Sequence, residues 1–244
     1  MDNILSVKNL HKQFGNLTAV GDLSFDVQRG EILGLLGPNG AGKTTIFNLL
    51  SGAYKADKGE ILLDGVDIAQ KSSAGRCHLG IGRTYQIPRP FGKLSVYENL
   101  LVCAVHGAKM SEKEARPWVH EVLELVCMQE HKSDLAGGIP LLDRKRLELA
   151  KALATKPKLI LIDEVAGGLT EGEAGQLLQI VKQIQQSGVT IIWIEHILMM
   201  MGEGGVDRLL CVADGARRLI CSDPQSVMNS KEVQECYLGV EESS

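Results

Sequence analysis

An apolar run of strand length, Glu31-Ile32-Leu33-Gly34-Leu35-Leu36, passes without a break into Gly37-Pro38-Asn39-Gly40-Ala41-Gly42-Lys43-Thr44. The residues after it, Thr44 to Ser51, read as helix. No other feature narrows the folds open to this chain as much. The turn matches G-x-x-x-x-G-K-[ST], a pattern that needs a buried strand in front and a helix behind. A continuous apolar run suits a strand covered on both faces of a sheet. The glycines let successive backbone N–H groups turn inward as a nest for an anion, and the positive end of the following helix adds to the attraction. Gly37 through Thr45 are therefore expected to bind a nucleoside triphosphate, with Lys43 reaching the β- and γ-phosphates and the Thr44 hydroxyl ligating Mg²⁺. The plain alternative is a glycine-rich turn that happens to precede a lysine. It does not account for eight matching positions between the right neighbours.

A second motif fits the first. Leu159-Ile160-Leu161-Ile162-Asp163 is an apolar strand ending in an acid, the arrangement that holds Mg²⁺ beside a phosphate loop. Glu164 follows at once and can accept a proton from an attacking water. The rest of the chain alternates between strand and helix patterns. Ile4-Leu5-Ser6-Val7 and Leu23-Ser24-Phe25-Asp26-Val27 read as strands, as does Val189 to Ile194. Leu209 to Ile220 reads as a hairpin around Asp214-Gly215. Ala174, Leu177, Leu178, Val181 and Ile184 line one face of a helix that Gly188 stops.

Between about 95 and 154 the pattern is helical. Ser111 and Glu114 form a capping-box signature, but Pro117 is expected to interrupt a helix begun there. A helix is expected from Pro117, with Val119, Val122, Leu123 and Val126 on its stripe. Leu147 to Lys156 reads as one uninterrupted helix. The pattern implies one α/β domain, residues 1–94 and 155–244, with a helical subdomain inserted at 95–154.

Composition excludes several functions. The formal charge of −4 over 244 residues leaves no electrostatic footprint for nucleic acid or an anionic membrane. No apolar run approaches the length of a membrane span; the best, Ile191 to Met201, is broken by Glu195 and His196. Met1-Asp2-Asn3 does not open a secretory signal. The six cysteines are scattered without a C-x-x-C pair, so reduced thiols are expected in place of a zinc site or disulfide framework.

With these motifs in place, the chain resembles the ATP-binding subunits of ABC transporters over essentially its whole length. The resemblance implies an α/β P-loop NTPase of the ABC ATPase type, with a RecA-like core, an antiparallel β subdomain and the helical insertion. Phe14 matches the aromatic on which adenine stacks. Gln86, in Gly82-Arg83-Thr84-Tyr85-Gln86, matches the Q-loop glutamine that touches Mg²⁺ and the attacking water, in a loop that also contacts the membrane partner. His196, after Ile191-Ile192-Trp193-Ile194-Glu195, matches the switch histidine at the γ-phosphate. Glu164, His196 and Gln86 are thus the implied catalytic set, and Thr44, Gln86 and Asp163 the implied metal set.

Within the superfamily the chain is most similar to the branched-chain amino-acid importer ATPases. Gly80 to Phe91, Ala166-Gly167-Gly168-Leu169-Thr170, Trp193-Ile194-Glu195-His196 and Glu235-Cys236-Tyr237-Leu238-Gly239 carry that likeness. It implies a peripheral subunit on the cytoplasmic face of the membrane, working with permease subunits, a second ATPase subunit and, indirectly, an extracytoplasmic solute-binding protein. A soluble or regulatory ABC ATPase switch and a nucleotide-gated module with little turnover are the alternatives.

The chain departs from the family at the signature L-S-G-G-Q. Counting back from Asp163 puts Ile139-Pro140-Leu141-Leu142-Asp143 at that place, whereas Leu135-Ala136-Gly137-Gly138-Ile139 lies four residues early. Pro140 lacks an N–H, the leucines crowd the approach, and Asp143 brings a carboxylate toward an anion. Asp143 is expected to cap the following helix, and Arg144 and Lys145 could reach toward phosphate. Thr170, where many relatives carry Asp, is a second departure. Together they suggest that the chain pairs with a different ATPase supplying an intact signature, although a homodimer stays open.

Overall fold

The computed structural model describes residues 2–195, 198–202 and 204–238. Along the chain it forms β1 (Asn3–Phe14), β2 (Leu17–Gln28), β3 (Ile32–Leu36), α1 (Lys43–Leu50), β4 (Lys58–Leu63), β5 (Val66–Asp67), α2 (Ser73–His78) and β6 (Ile81–Arg83). Next come α3 (Val96–Val102), running on into a π-helical turn at Cys103–Gly107, then α4 (Glu112–Leu125), α5 (Leu141–Ala154) and β7 (Leu159–Asp163). After these come α6 (Glu171–Gln186), β8 (Thr190–Ile194), α7 (Leu198–Met201), β9 (Arg208–Ala213), β10 (Arg217–Ser222), α8 (Pro224–Met228) and α9 (Lys231–Leu238). Two compact units result, Met1–Ser73 with Ile192–Ser244, and Ala74–Ile191.

The first unit holds an antiparallel sheet in the order β2-β1-β4-β5. Its strands turn Leu5, Val7, Leu23, Phe25, Val27, Ile61 and Leu63 into the core. The same unit pairs β3 in parallel with β9, Leu33 opposite Arg208 and Leu36 opposite Cys211, and β9 antiparallel with β10. That last hairpin turns at Gly215, as Asp214-Gly215 implies. Every residue of β3 is buried, as its unbroken apolar run requires.

In the second unit β6 and β7 pair in parallel, Ile81 opposite Leu159, and helices pack around them. The regular elements between residues 95 and 154 are helices. The apolar stripe of α6 buries Ala174, Leu177, Val181 and Ile184 as expected, with Ile180 in place of the half-buried Leu178, and Gly188 follows it in the left-handed conformation. Ser95 with Glu98, Ser111 with Glu114 and Thr170 with Glu173 each close a reciprocal capping box at the start of α3, α4 and α6. Among the described residues no helix is long and apolar enough to cross a membrane.

Two helices differ in extent from the sequence reading. Pro117 does not interrupt its helix: α4 starts at Glu112 and runs through the proline. An interior proline costs ~3 kcal/mol. Against that stand the Ser111 cap, ~1 kcal/mol, and the burial of Val119, Val122 and Leu123, about 1.5–3 kcal/mol each. Burial wins. Likewise α5 starts at Leu141, six residues before the expected Leu147, and stops at Ala154, short of Lys156. Lys156 takes a positive φ of 54°. Pro157 accounts for the stop, since the residue before a proline avoids helical geometry.

Candidate functional site

The phosphate loop is built in the first unit, where β3 delivers the chain to Gly37 and α1 begins at Lys43. Two glycines there are sterically required. A Cβ on Gly37 would lie 2.4 Å from the Val212 carbonyl oxygen, and one on Gly42 would lie 2.4 Å from that of Ala19. Gly42 also caps α1 with φ 96°, a conformation that costs L-residues dearly. The Lys43 amine is buried and donates to the carbonyls of Gly37 at 2.6 Å and Pro38 at 2.9 Å, so the loop curls around it. Ala41 N donates to Pro38 O at 3.2 Å, which fixes the turn through Asn39 and Gly40. Asn39, Gly40 and Thr44 are exposed, Thr45 is half-buried, and no atom within 4 Å would meet a Cβ on Gly40. With the positive end of α1 behind it, this open concavity fits a triphosphate.

Phe14 closes β1 in the same unit and is 43% exposed. Its ring packs edge-on against Tyr54 with centroids 5.4 Å apart, and the Lys12 amine lies 5.3 Å from its centroid. Lys12 is itself held by Asp57 at 2.8 Å. The burial expected of a core phenylalanine is absent, and the ring offers a face on which a base can stack.

The second unit brings the acids and the glutamine together. Asp163 ends β7, and its N–H donates to Thr84 Oγ1 at 3.1 Å. Arg83 Nη2 stands 3.4 Å from Asp163 Oδ2. Glu164 takes φ 45°, a left-handed conformation that costs a residue other than glycine of order 1–3 kcal/mol. At that bend Gln86 Nε2 donates to Glu164 Oε2 at 2.5 Å. The amide oxygen of Gln86 is the end that suits a hard cation, as does the Asp163 carboxylate. His196 lies outside the described residues, as does Gly239.

The signature segment corrects three expectations. Asp143 does not cap α5; the cap is Pro140, which has no side-chain bond to offer, and Asp143 lies in the first turn. There it pairs with Arg146 at 3.1 Å and stands 3.8 Å from His131 Nε2. The hydrogen bond that His131 Nδ1 makes to the Asp134 carboxylate, with the charge of Asp143 nearby, raises the pKa of the His131 imidazole above its ordinary value. Arg144 does not reach outward: it donates back to Ile139 O at 2.9 Å and Gly137 O at 3.1 Å. Lys145 turns inward and donates to the backbone carbonyl of Gln86 at 2.8 Å. Thr170 caps α6, work that an aspartate would also do.

Sequence reasoning missed Arg83 and Thr84 as neighbours of Asp163, and Lys145 as a partner of the Gln86 carbonyl. Arg83 and Thr84 lie inside the segment that identified Gln86, but no spacing rule ties β6 to β7. Lys145 is joined to Gln86 only by the packing of α5.

Residues 20–167 match the ABC transporter family model. The chain is 32% identical to the lipopolysaccharide export system ATP-binding protein LptB of Haemophilus influenzae, over 97% of this chain and 98% of that one. It is 33% identical to the high-affinity branched-chain amino acid transport ATP-binding protein LivG of Escherichia coli, with the same coverage. Among solved structures, the ADP conformation of MJ1267, an ATP-binding cassette of an ABC transporter, superposes with a TM-score of 0.88 at 29% identity. That match covers 98% of this chain and all of the other. Aligned with such relatives from end to end, and matched by the family model over most of its length, the chain belongs to the ABC transporter family as an ATP-binding protein whose ATP hydrolysis is coupled to transport.

Proposed function

We propose that this chain powers a membrane importer of amino acids, of the branched-chain class, from the cytoplasmic face of the membrane. The observation that carries the reading is the full-length likeness to LivG, together with the Gly80–Phe91 segment around Gln86. In that segment Tyr85, Ile87 and Phe91 are exposed, an apolar surface suited to permease subunits. The match to LptB at nearly equal identity favours a second reading, coupling to lipopolysaccharide export.

In either case the chemistry is the same. Bound nucleotide supplies a phosphoanhydride whose terminal phosphoryl group passes to water. Lys43 and the amides of Gly37–Thr45 would hold the phosphates and Phe14 would stack the adenine, while Thr44, Asp163 and Gln86 are the residues that would hold Mg²⁺, whose charge would offset that of the phosphates. Glu164 takes the proton from the attacking water, and His196 fixes that water's place. The Gln86 amide on Glu164 Oε2 orients the base. The degenerate segment Ile139–Asp143 supports pairing with a second, different ATPase. Its cap has neither hydroxyl nor N–H, and Arg144 is spent on loop carbonyls.

The test is to purify the chain from detergent-solubilised membranes with whatever subunits accompany it, reconstitute the complex in liposomes and follow ATP turnover. A leucine-loaded solute-binding protein is expected to stimulate it. Stimulation by lipopolysaccharide instead would move the chain to the export reading, and purification without membrane subunits would favour a soluble switch.

A further inference from the structure

Gln86 is held from two directions within the second unit. Its side-chain Nε2 reaches Glu164, and its backbone carbonyl accepts from Lys145 Nζ at 2.8 Å. Lys145 lies on α5, two residues beyond the segment Ile139–Asp143, and is 4% exposed. An ammonium at that depth must be compensated by hydrogen bonds, and a place near the amino end of α5 sets it against the helix dipole. As packing alone, a lysine is a poor choice there; an apolar side chain would fill the space without either cost.

The same face of α5 holds the loop again. Glu148 Oε2 accepts from Arg89 N at 3.3 Å, and Lys151 Nζ donates to Arg89 O at 2.8 Å and to Glu148 at 3.0 Å. Residues 145, 148 and 151 follow the three-residue spacing that lines one helix face. The loop they grip, residues 84–94, forms neither helix nor strand. Backbone bonds anchor its ends, Thr84 N to Leu161 O at 2.9 Å and Ala136 N to Leu94 O at 3.0 Å, and between them side chains of α5 hold the backbone at Gln86 and Arg89.

We propose that Lys145 is a positioning residue for ATP hydrolysis, tethering the Gln86 carbonyl to α5 and so setting where the Gln86 amide meets Glu164. This rests on the reading of Glu164 as base and Gln86 as its partner. A charge-assisted bond from a helix to the carbonyl fixes the backbone of Gln86 and leaves only side-chain torsions to deliver the amide. The tether also joins the base to the helix that begins within the signature segment, so a shift of that helix moves Gln86 with it.

A double-mutant cycle on the full chain, purified with the subunits that accompany it, tests the tether. Its readouts are kcat, KM for ATP, and amide hydrogen exchange over residues 84–91. K145M is expected to lower kcat by roughly 10- to 100-fold, the scale of a small misplacement at a reacting centre. KM should stay within about twofold while exchange in the loop quickens, and K145R, which keeps a donor, should recover part of the rate. In a Q86A background K145M should add less than about twofold, because the two act as one unit. Full multiplication of the two losses, or a raised KM with kcat unchanged, would overturn the proposal and leave Lys145 a support of α5. Should K145M fail to fold, K145Q takes its place, and unchanged kcat with unchanged exchange would overturn it equally. Q86A and E164Q run alongside: if neither slows turnover, the reading of the base fails; if both do and K145M does not, the tether alone fails.

Discussion

In the proposed reaction Glu164 is the base, and its backbone conformation sets it apart from the strand before it. A left-handed glutamate directly after a buried strand is costly. Glu164→Gln should slow ATP turnover by about 10²–10⁴, the general-base range, while equilibrium binding of ATP is retained. A variant that turned over normally would take the base role away from this residue. The sequence points to Glu164 as the proposed base but does not say how it is held. Asp163-Glu164 after an apolar run is legible from types and spacing; the grip of Gln86 on one carboxylate oxygen needs two loops brought together, and nothing local encodes it. Phe14 shows the same limit, since its edge-on contact with Tyr54 joins residues forty apart in the chain.

At the level of elements, local chemistry is a good guide wherever a helix begins with its own cap. The boxes at Ser111 and Thr170 are four-residue facts, complete before any tertiary contact forms. Thr170→Ala should therefore lower stability by about 0.5–2 kcal/mol, read from the urea midpoint, and Thr170→Asp should restore it. No change in Thr170→Ala would mean that α6 is held by its buried stripe alone. The rule misled where a side-chain cap was sought and none exists. Asp143 offered one for the helix after the signature segment, but α5 starts earlier, at a proline whose fixed φ suits the position and whose side chain bonds to nothing. Pro117 misled in the opposite sense, because a single missing hydrogen bond weighs less than the apolar face that α4 buries.

Over the whole molecule, the sequence was most legible in the fully buried strands β3, β7 and β8, whose apolar runs admit only a covered sheet. Less legible was what the chain assembles with, because pairing depends on surfaces that no periodicity reveals. Hydrolysis-blocked Glu164→Gln protein with Mg-ATP should sediment as a monomer that binds nucleotide and pair only when a second, different ATPase is added. An ATP-dependent homodimer would mean that Ile139–Asp143 receives phosphate after all. The helix starts carry a further consequence. Helices α3, α4, α6 and α8 are each closed at the amino end by a side chain of their own, whereas α1 and α5 are not. Those two are the helices whose amino ends nucleotide chemistry would use. For α1 the missing cap is one that a phosphate can supply, so that a bound nucleotide acts there as the final residue of the fold; ADP still fills that place after hydrolysis, and the helix end opens only when the nucleotide leaves.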